Sequence, residues 1–116
     1  MKPRPDRTLR VGGLIQEILA PLLQQYHKDH PNLPFVTITG VTVSRDLAYA
    51  NVHVSILTND RKVINHTIIQ LNDEAKNFRF NLAKELRLRI TPHVRFIFDE
   101  STMIGFRITE LLERDK

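Results

Sequence analysis

The 116-residue sequence contains no cysteine, which removes disulfides and thiolate metal sites and is compatible with a reducing cytosol. Glycine is scarce: Gly12, Gly13, Gly40 and Gly105 are all there are, and they form no phosphate-cradling loop. Ser44, Ser55 and Ser101 have no nucleophile-elbow context. No uninterrupted apolar run approaches the roughly 18 residues a membrane span needs, so the chain reads as soluble and cytoplasmic, with no membrane partner. Aromatic residues make up 7% of the chain, and few accompany the basic ones, so base stacking should contribute little compared with charge. These absences leave no sign of an enzyme, a cofactor or a small-molecule substrate.

What is present is positive charge, unevenly placed. The net charge is +4, but residues 1–10 carry +3, residues 11–60 carry −2, residues 61–95 carry +5 and residues 96–116 carry −2. A polyanion is the natural partner of such a surface, because each Lys or Arg set on a phosphate releases counterions. Basic residues that only keep the domain soluble would give the same total.

With 41% hydrophobic residues, the chain is the right size for one domain around one core. Thr8 can cap a helix whose apolar residues, from Val11 through Ile15 and Leu19 to Leu23, recur at three- and four-residue steps. Pro21 inside it predicts a kink or an early change of direction, and "YHKDHPNLP" ends it. "FVTITGVTVS" is a strand whose alternation changes phase at Gly40, which predicts a bulge. Arg45 and Asp46 make a turn, and the next strand returns with Ala50, Val52, Val54 and Ile56 on one face. From Asp60, a good N-cap, Ile64, Ile68, Leu71, Ala75, Phe78, Leu82 and Leu86 fall on one helical stripe. Pro92 forces Thr91 to be extended, and a third strand follows with Val94, Phe96 and Phe98 on one side. A short tail helix, weakened by Gly105, is expected after Ser101. The pattern is α+β: a three-stranded sheet with helices packed on one face.

Few constellations could carry chemistry. His27 and His30 are neighbours beside Asp29 but lack metal-ligand spacing, and the other three histidines come from separate elements. Asp99 and Glu100 are adjacent on a strand end, so they point to opposite faces and suit a solvated strand terminus or a cap for the tail helix better than acid or base work. The basic residues differ in kind. Lys76, Arg79, Lys84, Arg87 and Arg89 along a helix, with Arg95 on the next strand, place many donors on one side of a rigid scaffold, as phosphate binding requires. Only Asp73, Glu74 and Glu85 are there to neutralise them.

The segments "VTVSRDLAYANVHVSIL", "LAKELRLRITPHVRFIFDES" and "GFRITELL" resemble the bacterial ribosome-binding factor A family, and the similarity runs from "RVGGLIQEILAPLL" to the tail. The resemblance implies a type II KH-like fold in the order α-β-β-α-α-β, filling residues 1–116 as a single domain with a flexible basic arm at 1–7 and a tail at 101–116. It further implies a monomeric assembly factor that binds the immature small (30S) subunit and its 16S rRNA, supports late maturation and 5′-end processing, including in the cold, and is no catalyst. Ribosomal proteins are further candidate partners. The family resembles a helix-kink-helix marked by A-x-G, where this sequence reads Glu74-Ala75-Lys76, so a weak kink is expected between Asp73 and Phe78. On this fold Arg87, Arg89 and Arg95 would stand beside Lys76 and Arg79 facing rRNA phosphates, with Lys84 on the same arc and Arg45, Arg7 and Arg10 as secondary contacts. A protein-interaction module docking through the polar strand face and tail, without direct RNA contact, and a DNA-binding KH-like domain are the competing readings.

Overall fold

The structure, a computed structural model, describes residues 7–103. Most of the N-terminal arm and of the expected tail helix lies outside the described residues. The elements run α1 (Arg7–Asp29), β1 (Val36–Val43), β2 (Tyr49–Ile56), α2 (Arg61–Asp73), α3 (Ala75–Glu85) and β3 (His93–Phe98), the α-β-β-α-α-β order expected. Arg7, assigned to the arm, is instead the first residue of α1, and Thr8 lies inside its first turn rather than capping it. The helix passes through Pro21 without a break. Pro21 and Glu17, whose carbonyl loses its partner, are both on the exposed side, where water can replace the missing bond.

β2 is the central strand, antiparallel to β1 and parallel to β3. The hairpin carries the expected irregularity: Ile38 faces Val54 while Gly40 faces His53, so Thr39 is the extra residue. Gly40 has room for a Cβ, so the bulge does not depend on its being glycine. The β1–β2 turn closes on Asp46, whose carboxylate accepts from the Ser44 hydroxyl at 2.7 Å and the Ala48 amide at 3.1 Å. Leu47 there takes a left-handed φ of 60°, a cost for a branched residue that is offset by its side chain packing against the core.

α1, α2 and α3 cover one face of the sheet, the face carrying Ala50, Val52, Val54, Ile56, Val94 and Phe96. The helices meet the sheet at a seam of rings: Phe78 of α3 packs edge-on against Phe96 of β3 at 5.3 Å and against Tyr26 of α1 at 5.5 Å. Burying a side chain of this size is worth about 1.5–3 kcal/mol, and an edge-to-face pair adds about 0.5–1.5 kcal/mol. The seam therefore outweighs any single hydrogen bond, worth about 1 kcal/mol net. Beside it, Asn72 donates to the Phe96 carbonyl at 3.0 Å and accepts from the Phe96 amide at 2.8 Å. That side chain stands in for a fourth strand on the outer edge of β3.

Asp60 caps α2 by accepting from the Lys62 amide at 3.0 Å. The long apolar stripe is divided between two helices that part at Glu74, whose φ of −95° and ψ of 4° are open to any L-residue. The bend expected between Asp73 and Phe78 is thus present with lysine at position 76 and needs no glycine. The helix expected to run on past Leu86 stops sooner: α3 ends at Glu85, and Leu86 turns extended, at φ −85° and ψ 108°. Leaving the helix there buries Leu86 and begins the extended approach that Pro92 imposes. After β3, residues 100–103 are helical, and Asp99 caps this turn through the Ser101 amide at 3.1 Å and hydroxyl at 2.6 Å.

Two predictions concern this framework. A Cβ on Gly12 would lie 2.8 Å from the Val41 carbonyl oxygen, whereas one on Gly13 meets nothing within 4 Å. Gly12→Ala should therefore lose about 1–3 kcal/mol in urea unfolding, and Gly13→Ala should gain about 0.5–1 kcal/mol; equal effects would mean that α1 does not approach β1 as described. Asp46 is held below the usual carboxylate range chiefly by the Ser44 hydroxyl and then the Ala48 amide, and Asp99 by the Ser101 hydroxyl and then that of Thr39. Carboxyls depressed on folding give stability that is complete above their unfolded value of about 3.9 and is lost as pH falls through the folded one. The urea midpoint should drop between about pH 5 and pH 2, and Asp46→Asn should flatten that drop; an unaltered pH profile would remove the turn from the account.

Candidate nucleic-acid interface

The basic residues reach their positions by different routes. Lys76, Arg79 and Lys84 project from α3. Arg87 and Arg89, expected from the sequence to lie along that helix, stand instead in the loop 86–92 that follows it. The loop is fastened at its far end. The Arg79 guanidinium donates from Nε at 3.1 Å and from Nη2 at 2.8 Å to the Thr91 carbonyl, and the His93 amide donates to the Ala48 carbonyl at 2.8 Å.

Between α3 and this loop lies an open groove of about 620 Å³ lined by Lys76, Arg79, Phe80, Arg89, Ile90 and His93, among others, with no carboxylate among the described residues of its walls. Phe80 and Ile90 are 63% and 66% exposed. The Lys84 ammonium sits 4.7 Å from the centre of the Phe80 ring. The structure thus brings Lys76, Arg79 and Arg89 together and places Lys84 at their edge, while Arg87 is exposed in the loop outside the groove. Arg95 does not join them. Strand alternation buries Val94 and Phe96 and turns Arg95 outward beside Asn51, onto the sheet face that no helix among the described residues covers.

The secondary candidates share an end of the sheet with the groove. Because β3 runs parallel to β2, His93 pairs with Tyr49, and the loop 86–92 ends beside the β1–β2 turn that carries Arg45. The early part of α1 lies over Val41 and Val43, which brings Arg7 and Arg10 toward the same end. All three arginines are exposed. At the other end stand Asp60, Asp99 and Glu100, the last gripped by Arg61 through two contacts of 2.8 and 3.0 Å.

Reading the sequence missed Phe80. Residues two apart on a helix point about 200° apart, so Phe78 in the core already implied Phe80 in solvent. The expectation that aromatics would be scarce near the arginines needs amending accordingly. Among the described residues the groove holds the exposed Phe80 ring, and Tyr49 stacks on His93 at 5.5 Å at its margin. His27 and His30 spend their rings locally: His27 meets Phe35 edge-on at 5.6 Å, and His30 stacks on Tyr26 at 4.1 Å.

Comparison with known proteins decides the family. The family profile described as Ribosome-binding factor A matches residues 7–112. The chain belongs to the ribosome-binding factor A family. The ribosome-binding factor A of Shewanella sediminis is 39% identical over 109 residues, covering 94% of this chain and 76% of that protein. That of Pseudomonas paraeruginosa is 43% identical over 112 residues, covering 94% and 85%. The solution NMR structure of a Thermotoga maritima protein assigned provisionally to ribosome binding factor A aligns with a TM-score of 0.67 at 34% identity, covering 83% of this chain and 91% of that one. A homology model of Thermus thermophilus ribosome binding factor A, fitted into a cryo-electron microscopy map of its complex with the 30S subunit, aligns at 0.56 and 19% identity, covering 75% and 93%, and supports the fold alone. The ribosome-binding factor A match spans every residue lining the groove.

Arg79 makes two of its five N–H donors serve the fold. We therefore expect Arg79→Lys, which keeps the charge but not the forked geometry, to behave like Arg79→Ala: faster amide hydrogen exchange over residues 87–91 and a loss of about 1.5–3 kcal/mol. Wild-type exchange in Arg79→Lys would mean that the Thr91 contact does not hold the loop.

Proposed function

We propose that the chain is a ribosome assembly factor that binds the immature small ribosomal subunit through phosphates of 16S rRNA and supports late maturation and 5′-end processing, including in the cold. It acts as a cytoplasmic monomer and as a binding protein rather than a catalyst. The observation that carries this reading is the carboxylate-free groove of Lys76, Arg79 and Arg89, on a chain whose family includes a Thermus thermophilus member described in a 30S complex. Arg87 and Lys84 extend the groove's charge, and Arg45, Arg7 and Arg10 give the same end of the sheet a second row of contacts. Arg95, on the open face, is the contact least able to act with them.

Phosphate contacts fix position and orientation without reading sequence. Rigid placement matters because every cation that must be ordered on binding costs side-chain entropy. Arg79, already tied to Thr91, has paid part of that cost in folding, and it sets the loop that carries Arg89. Phe80 offers one stacking surface, worth about 1–3 kcal/mol if a base is available, so charge supplies the larger share.

Co-sedimentation with purified small subunits at low and moderate salt tests the proposal. Binding should weaken steeply with salt, because each phosphate neutralised contributes a slope of about −0.7 to −0.9 in log affinity against log salt. The Arg87→Glu/Arg89→Glu double variant should lose at least about tenfold in affinity, and reversal of Lys28 and Lys62 should cost far less. Binding indifferent to both salt and the Arg87/Arg89 reversal would replace this reading with a protein-docking one.

A further inference from the structure

α3 has a second flank. Phe80, which walls the basic groove, also walls a separate open cavity of about 390 Å³ on the side facing α1, lined by Tyr26, Asp29, Glu74, Asn77 and Asn81 as well. The break between α2 and α3 puts Glu74 there, and the last turn of α1 supplies Asp29. Among the described residues the linings of the two flanks of one helix thus differ in sign: cations without carboxylates on one, carboxylates without Lys or Arg on the other.

The chemistry of this cavity is acceptor-rich. Asp29 receives the Gln25 amide on Oδ1 at 3.2 Å, and Glu74 receives the Asn77 amide on Oε2 at 3.0 Å. Neither carboxylate forms an ion pair with a described Lys or Arg, in a chain whose net charge is +4. Phosphate is repelled from such a site. A guanidinium is suited to it, since it is planar, presents five donors and no acceptor, and stacks on aromatic rings. The Phe80 ring already attracts the Lys84 ammonium, and it stands 63% exposed.

We propose that this cavity receives an arginine side chain from a basic protein segment, held between the Phe80 ring and the Asp29 and Glu74 carboxylates. The inference does not require the basic groove to bind RNA. If both hold, α3 lies between nucleic acid on one flank and a cationic protein on the other, and the same helix reads two partners of opposite charge.

The test is an NMR titration of the full chain, 15N-labelled, with Nα-acetyl-arginine amide at low salt. Saturable shifts should appear at the side-chain amides of Gln25, Asn77 and Asn81 and at the Phe80 backbone. Affinity should fall about tenfold in Asp29→Asn/Glu74→Gln, which keeps the shape and removes the charge, and acetyl-lysine amide should bind more weakly than the arginine compound. Shifts no larger than those beside Glu17 and Glu85, two exposed carboxylates outside the cavity, would overturn the proposal, as would unchanged binding by the double variant. An oligouridylate perturbing the same amides at equal or higher affinity would assign the cavity to RNA instead. None of these outcomes depends on ribosome binding, so failure here and failure of co-sedimentation are separate results.

Discussion

The contact of Phe78 with Phe96 and Tyr26 is the constraint on which the rest of the molecule depends. One ring of α3 is fixed simultaneously against an edge strand and against the first helix, which sets the rotation of α3 about its own axis. Once that rotation is set, Lys76 and Arg79 must face the loop 86–92, Asn77 and Asn81 must face α1, and Phe80 must stand between them. Asn72 secures the same strand from the preceding helix by satisfying both backbone groups of Phe96. The placement of charge is therefore a by-product of packing, and its rigidity comes from the core.

That placement is polar along the strands. The parallel register of β2 and β3 brings the β1–β2 turn and the loop 86–92 to one end, and the arginines of both gather there. The opposite end holds the cap of α2 and the cap of the turn after β3, and caps at helix starts favour aspartate because it satisfies amides and complements the helix dipole. So the carboxylates at that end, which stand beside Arg61 and Lys62, follow from the rules of helix initiation, while the arginines of the other end are left free for sequence to choose. A surplus of cations at one end orients the molecule in the field of a polyanion before contact.

Much of the fold was legible in the sequence because it was periodic. The alternation in β2 named its buried face, the phase change in β1 located the bulge, and the stripe from Ile64 to Leu82 identified the core side of both helices. What failed was local and had physical causes. The end of α3 could not be read because Leu86 satisfies helical and extended patterns equally well, and only burial chooses between them. Arg79 looked like a free cation because no sequence pattern announces a guanidinium donating to a carbonyl twelve residues on. The groove needed Arg89 and Lys76 side by side, which depends on where the loop turns back. Arg95 could have been set apart: with Val94 and Phe96 on the core side of β3, alternation alone turns it to the opposite face. The break at Glu74 was anticipated in position, but its backbone geometry shows why lysine two residues later is tolerated.

The parallel pairing of β3 has a consequence for how the protein comes into being. β1 and β2 are joined by a tight turn and need little chain entropy to meet, whereas β3 can pair with β2 only after both intervening helices have been spanned, and such non-local closures form late and slowly. The basic corner is made from the last strand to arrive, its preceding loop and the helix it locks in place. A chain arrested before that step would have its hairpin and its first helix but no groove. The surface proposed to touch rRNA is in this sense a certificate of completed folding, so that the molecule becomes able to engage its partner at the moment its own construction ends.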